Sequence, residues 1–353
     1  FFEQATQLTE IYPLSIEKFL EDAREFHIDA IADGHDVMLA GIHEHVEEAG
    51  IHSADSAAVW PAHNLAPETA REARVVVTRL VRELRLCGFL GVKCALAQDK
   101  LYVLDVLPHA ARSIALLDSL TGGRLVPLAV RMLLGGALRD ADAHELVGDF
   151  LAVRAPVFPF HHFPGSDASL GPEHCSVGQA LGVDKAFGIA YAKALTAAGN
   201  KLPTKGNVLL SIADRDKREI IPVAKQLRAL GFGILATTGT AALMHEYGIP
   251  ADATLKLQEG RPNVIDHIID GDVQLIINTP GGKANRIAEA HLRHEAVDRG
   301  ILVLTTVAGA RAAVMGIEAF MRHGFDICTH AQHLRGLHQQ QELVFEPQTT
   351  MEL

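Results

Sequence analysis

Apolar and polar positions along this chain change their period twice, and each change marks a different kind of structure. In residues 14–42 the runs LSIEKFL, IDAIAD and VMLAGI alternate with acidic turns, which predicts short antiparallel strands. Over 67–86, PETAREARVVVTRLVRELRL carries its apolar residues at helical spacing, with Pro67 near the start and Gly88 just past the end. VKCALAQDKLYVLDVL returns to strand character and reads as a hairpin turning at Gln98–Asp99, followed by helices at about 110–120 and 125–136. Residues 137–206 are less regular. FPFHHFPGSD and SLGPEHCSVG are punctuated by Pro and Gly, residues 183–198 form an Ala-rich helix, and LPTKG at 202–206 is the best linker.

From Asn207 the alternation is clear. NVLLSIA, GILATT, ATLKL, VQLIINT and ILVLTT read as strands, with helices between them starting near Lys217, Thr240, Asn263 and Ala284. Short β-rich runs alternating with amphipathic helices require right-handed crossovers and a doubly wound, mainly parallel α/β sheet. The segment from about 331, AQHLRGLHQQQELVFEPQTTMEL, is a polar tail.

Composition narrows the function. A length of 353 residues accommodates two domains. A formal net charge of −11 argues against a nucleic-acid binder, because phosphate neutralisation needs clustered Lys and Arg. The four cysteines are scattered without a CxxC pair, which fits a reducing cytoplasm. No apolar run approaches the roughly 20 residues of a membrane span, and no signal peptide is visible. The opening FFEQATQLTE lacks a starting Met, so the chain is expected to be part of something longer.

Candidate chemistry sits at three places. In the C-terminal part, Lys217, the Thr237-Thr238-Gly239-Thr240 turn and Asn278-Thr279 fall at strand ends, where open α/β sheets bind ligands. TTGT alone also reads as a helix cap; with Lys217 and Lys256 beside it, an anion or phosphate site is the better reading. In the N-terminal part, HEHVEEAGIHSADS is dense in ligand-type residues, with His43 and His45 on one strand face and His52 after a Gly turn. Zinc needs three or four converging ligands, and a nucleotide contact or a polar loop is favoured instead. VLDVLPHAARS sets Asp105 at a strand end and Arg112 after a proline-led turn, which suits either a metal–phosphate site or a surface ion pair.

KFLEDA, IHEHVEEAGIHSADS, VLDVLPHAARS, FPGSDASLGPE and ATTGTA…KLQEGRP…IINTPGGKANR, in this order across residues 13 to about 325, together resemble the C-terminal third of the carbamoyl phosphate synthetase large chain. The resemblance implies the end of the second ATP-grasp unit, an α+β lobe with an antiparallel sheet, at 1–150. A connecting segment follows at 151–206, then a methylglyoxal-synthase-like regulatory domain at 207–330 and the tail at 331–353. It implies an ATP-dependent ligase that phosphorylates carbamate with MgATP for arginine and pyrimidine synthesis, Mn²⁺ being an alternative metal. Nucleotide contacts then match His45, Glu47, Gly50, Ile51, His52 and Ser53, with Arg112 on the phosphate side. Effector phosphate contacts (UMP or IMP) match Lys217, Thr237, Thr240, Lys256 and Asn278. Ornithine carboxylates match Glu47, Asp55 and Glu173. Implied partners are a glutaminase small chain or domain that supplies ammonia and, in the parent enzyme, further copies in an oligomer.

Several positions depart from that pattern. The family's metal set of Gln, Glu and Asn reads Lys93, Asp105 and Leu107 here, and Pro280 replaces a threonine often seen at the effector phosphate. Mg²⁺ demands oxygen ligands in near-octahedral geometry, so most phosphoryl-transfer activity is expected to be lost. The alternative is an inactive remnant that binds a phosphorylated metabolite. Residues 1–150 also lack the glycine-rich loop of a complete ATP-grasp site. A methylglyoxal synthase needs a carboxylate base after its paired glycines, whereas Lys283 follows Gly281-Gly282.

Overall fold

The strand Arg24–Asp33 (β1) divides its side chains between two different surroundings. Phe26, Ile28, Ala30 and Ala32 point into an apolar layer, while Glu25, His27 and Asp29 on the other face are polar and just as buried. The molecule, a computed structural model, describes residues 16–21, 23–141, 150–163, 167–281 and 286–325. Lys283, Cys328, the first residues of LSIEKFL and the tail from 331 lie outside them. The described part of LSIEKFL, residues 16–20, is not a strand.

β1 pairs antiparallel with Val37–Glu48 (β2) and with Cys87–Ala97 (β4), and β2 continues to the short Ala58–Trp60 (β3). The helix Pro67–Leu84 (α1) covers the apolar face through Ala73, Val77 and Val81, four residues apart on one stripe. Each buried Val is worth about 1.5–3 kcal/mol relative to exposure. Lys100–Leu107 (β5) completes the hairpin with β4. Its turn residues Gln98 and Asp99 have φ of 50° and 59°, the left-handed pair that a two-residue hairpin requires. Ser113–Leu120 (α2) and Leu125–Leu133 (α3) then pack on the opposite face against Ile31, Met38, Ala40 and Trp60.

The irregular region holds two strands that sequence periodicity does not reveal. Leu151–Val157 (β6) pairs with β3, and Gly178–Asp184 (β7) pairs with β6, giving a seven-stranded sheet in the order β5-β4-β1-β2-β3-β6-β7. Residues read as a connecting segment therefore extend the first sheet. The Ala-rich helix spans Phe187–Ala197 (α4), shorter than expected because residues 178–184 are strand.

The C-terminal sheet follows the predicted alternation. Asn207–Ser211 (β8), Ile220–Ala229 (α5), Gly233–Thr237 (β9), Thr238–Glu246 (α6), Asp252–Thr254 (β10), Val264–Ile269 (α7), Val273–Asn278 (β11), Arg286–Asp298 (α8), Leu302–Leu304 (β12) and Val307–His323 (α9) build an all-parallel sheet. Its strand order is β10-β9-β8-β11-β12. One hydrophobic core joins both sheets: Val59 and Val153 of the first share it with Val208, Leu210 and Ile277 of the second, bridged by α4 and α9. These helices touch closely. A Cβ added at Gly188 would meet the Met315 carbonyl oxygen at 2.7 Å, and one at Gly316 would lie 3.3 Å from Ala192 Cβ.

Candidate functional site

Cross-strand register assembles a polar row on the first sheet. His27 lies opposite His43 on β2 and opposite Lys93 on β4, and Lys93 lies opposite Asp105 on β5. Directly opposed residues share a face, so these four line up across the strands. Glu25, Asp29 and His45 occupy neighbouring positions on the same side. His43 Nδ1 is 3.3 Å from Asp29 Oδ2, His27 Nε2 is 3.8 Å from Asp29 Oδ1, and His45 Nδ1 is 3.4 Å from Glu25 Oε1. A Cβ at Gly91 would sit 2.7 Å from His27 Nε2, so the glycine makes room for that ring.

Burial dominates the electrostatics of this row. It pushes His27 down to about 3, with His43 adding repulsion, and holds His45 well below the ordinary imidazole range. Burial raises the Glu25 carboxyl, with Lys93 opposing. For Asp29 burial pulls upward, but the nearby His43, Ser113 and His27 side chains leave it below its usual value. His27 and His45 are therefore neutral imidazoles near the Asp29 carboxylate.

The family metal positions do not make an Mg²⁺ shell. Asp105 is exposed and its Oδ1 accepts the Val106 N–H at 2.8 Å; Lys93 presents an ammonium directly across the strand pair; Leu107, opposite Gly91, offers no ligand. One oxygen beside a fixed positive charge falls short of the octahedral oxygen set this ion needs. Arg112, the phosphate-side residue of the resemblance, donates from Nη1 to His174 Nε2 at 3.1 Å.

The HEHVEEAGIHSADS stretch splits in two. His45 and Glu47 are buried within β2. Glu47 accepts from Ser56 Oγ and Ala57 N–H, both at 2.7 Å, while burial raises its carboxyl. Gly50 turns the chain with φ of 104°, Ile51 forms an isolated bridge with Ala49, and the His52 N–H donates to the Gly171 carbonyl. Arg154 on β6, which sequence reasoning passed over, donates to the Ser53 and Ser56 carbonyls at 2.8 and 3.2 Å and holds this turn down. It stands inside LAVRAPV, a run without a recognisable motif.

Of the three expected ornithine carboxylates, Glu47 and Asp55 line a cavity of about 300 Å³ between the two sheets, together with Tyr191, Thr305 and Thr306. Glu173 is exposed and is not in its lining. Asp55 is committed to the protein: its oxygens accept the Cys175 and Ser176 N–H groups at 2.7 and 2.9 Å.

In the second sheet, Lys217, Thr237, Thr240 and Lys256 converge on a pocket of about 110 Å³ at the carboxyl ends of the strands. Asn278 does not join them. Its Oδ1 accepts from Arg293 Nη1 at 2.6 Å and its Nδ2 donates to the Ser211 carbonyl, because the fully buried Arg293 needs acceptors. The same guanidinium makes a two-point contact with Asp167, at 2.6 and 2.8 Å. Two carboxylates temper the positive charge of the pocket: Asp214 pairs with Lys217 at 2.6 Å, and Glu289 accepts the Gly281 N–H.

Comparison with known proteins agrees with this two-part architecture. The carbamoyl-phosphate synthase L chain ATP binding domain matches residues 2–141, and the MGS-like domain matches residues 219–305. The carbamoyl phosphate synthase large chain of Methanoculleus marisnigri is 40% identical over 327 residues, covering 93% of this chain and 31% of that one. That of Acidobacterium capsulatum is 42% identical over 329 residues, 91% of this chain and 30% of that one. The carbamoyl phosphate synthase large chain, C-terminal section, of Aquifex aeolicus is 37% identical over 352 residues, 94% of this chain and 65% of that one. The chain thus spans about a third of the full-length large chains it matches.

Proposed function

Because this chain belongs to the carbamoyl phosphate synthase large-chain family and corresponds to its C-terminal part, we propose that it serves that enzyme as an effector-binding section. In this reading its ATP-grasp portion no longer supports Mg²⁺-dependent phosphorylation of carbamate. The observation that carries it is the Lys93–Asp105–Leu107 set, in which one carboxylate faces an ammonium and the third position is apolar. Phosphoryl transfer depends on positioning and on neutralisation of charge by metal, and Lys93 repels the ion that would supply it.

The pocket of Lys217, Thr237, Thr240 and Lys256 then binds the phosphate of a nucleotide monophosphate such as UMP or IMP. The carboxylate-lined cavity between the sheets takes ornithine through Glu47, whose hydrogen bonds from Ser56 and Ala57 both fall on Oε2. Both ligands regulate a synthase that serves arginine and pyrimidine formation, with ATP bound elsewhere in the large chain and ammonia delivered by a glutaminase partner. A second reading, an active ATP-grasp site, draws support from Asp105 and Arg112, which keep a carboxylate and a guanidinium at the family's positions.

Carbamate-dependent ATP turnover, measured on this chain combined with the rest of its large chain, separates the two. The combined Lys93→Gln, Asp105→Glu and Leu107→Asn protein is expected to exceed the unaltered one by about tenfold or more, since metal clamps contribute several kcal/mol to such steps. Equal turnover in both proteins favours the active site. Calorimetric titration of the chain with inorganic phosphate, UMP and IMP tests the effector pocket, with Lys217→Ala as the weakened variant.

A further inference from the structure

Residues far apart in sequence meet where the loop before β7 crosses the turn after β2. His52 and Asp55 come from that turn, His174 from the loop, and the two imidazoles stack with ring centroids 4.8 Å apart. We propose that His52, Asp55 and His174 form a site for a divalent transition-metal ion of the zinc class, distinct from the Mg²⁺ positions on β4 and β5. Among the described residues, these three alone bring metal-ligand atoms within 4.8 Å of one another.

Two imidazoles and one carboxylate are a donor set that zinc and its neighbours accept with three protein ligands and an open position. The carboxylate is the fixed member, since the Cys175 and Ser176 N–H groups orient both Asp55 oxygens in a buried setting. Such outer hydrogen bonds are how metal-binding carboxylates are held. Both imidazoles are the adjustable members, because neither is buried. Ligand atoms in a tetrahedral zinc shell lie about 3.3 Å apart given bonds near 2.0–2.1 Å, and His174 Nε2 is 3.9 Å from Asp55 Oδ1. Closing that gap takes a small rotation of a surface ring.

A positive charge already occupies the approach. Arg112 carries only donors, so its 3.1 Å contact requires His174 Nε2 to present its lone pair. Ser176 Oγ lies 3.1 Å from the same nitrogen. Arg112 is exposed and free to swing aside for an incoming ion. His52 Nδ1 accepts only a long bond, 3.3 Å, from Ala54 N–H. Imidazole ligands exclude Mg²⁺, which selects oxygen, so this site and the family metal positions differ in the ion they select.

Titration of the full chain with Co²⁺ and Zn²⁺ tests the site, with visible absorption reporting Co²⁺ coordination and a chromophoric chelator competing for Zn²⁺. One ion per chain is expected, weakened about tenfold or more in His174→Ala and in His52→Ala. The His161→Ala/His162→Ala protein controls for the nineteen histidines of the chain and is expected to bind as the unaltered protein does. Asp55 is not chosen, since its loss also frees two backbone N–H groups. Wild-type stoichiometry and affinity in the His52→Ala/His174→Ala protein would overturn the proposal, as would the absence of saturable binding in the unaltered chain.

Discussion

His27 illustrates how one side chain couples this fold to pH. Its imidazole is buried and held near 3, whereas an unfolded histidine titrates near 6.5. The unfolded chain therefore binds a proton that the native protein refuses. Stability from this group is complete above the unfolded value and is lost as pH falls from about 6.5 toward 3, by up to about 1.4 kcal/mol per pH unit. His45 acts in the same direction. Glu25 and Glu47, raised by burial, have the opposite sign, and their contribution on acidification begins above the ordinary carboxylate value. Urea unfolding between about pH 7 and pH 5 should show the His27→Gln protein less destabilised by acid than the unaltered one, by up to about one proton's worth of slope. An unchanged slope in the variant would place the acid sensitivity elsewhere. Little of this was legible in the sequence. HEHVEE announces ligand-type residues, yet the meeting of His27 with His43 and Lys93 is set by strand register. His174 joins His52 only through tertiary folding.

At the scale of elements, sequence was a better guide wherever chemistry is local. The β4–β5 turn follows from Gln98-Asp99, α1 from its Val77–Val81 stripe, and the parallel sheet from its alternating periods. α7 shows why. Asn263 accepts the Ile265 N–H, and Asp266 reaches back to the Asn263 N–H, a reciprocal cap closed within four residues. Asn263→Ala is expected to lower stability by about 1 kcal/mol, read as a reduced thermal midpoint. An unchanged midpoint would mean that packing alone holds α7. β6 and β7 failed to announce themselves for equally physical reasons. LAVRAPV is buried at nearly every position, including Arg154, so it has no alternation to read. β7 is interrupted by Gly182, where any Cβ would collide with the Ala190 carbonyl of α4. Its glycine is a packing requirement that resembles a loop signal.

Across the whole molecule, Arg293 is the clearest long-range tie. It anchors Asp167, from the region between the sheets, to Asn278 at the end of β11. Removing one partner of a buried pair costs about 3–5 kcal/mol, and the low end applies because the Asp167 side chain is 31% exposed. Arg293→Met should therefore lower stability by about 3 kcal/mol. The loss should be visible not only by circular dichroism but also in the fluorescence of Trp60, the single tryptophan, which sits in the first sheet. Coincident shifts in both signals test whether the two sheets unfold together; a Trp60 transition that stays in place would show them to be independent.

The crossing of α4 and α9 has a consequence for descent as well as for stability. With glycines at the contact and no space for a methyl group at Gly188, each helix is shaped to its neighbour on the other sheet. Recombination at 202–206 would give the C-terminal unit a foreign α4 and the first sheet a foreign α9. A cut before β6 would carry the matched helices together. Exchange of the C-terminal unit among related chains is therefore expected to leave its scars upstream of residue 151, while the apparent linker is inherited intact.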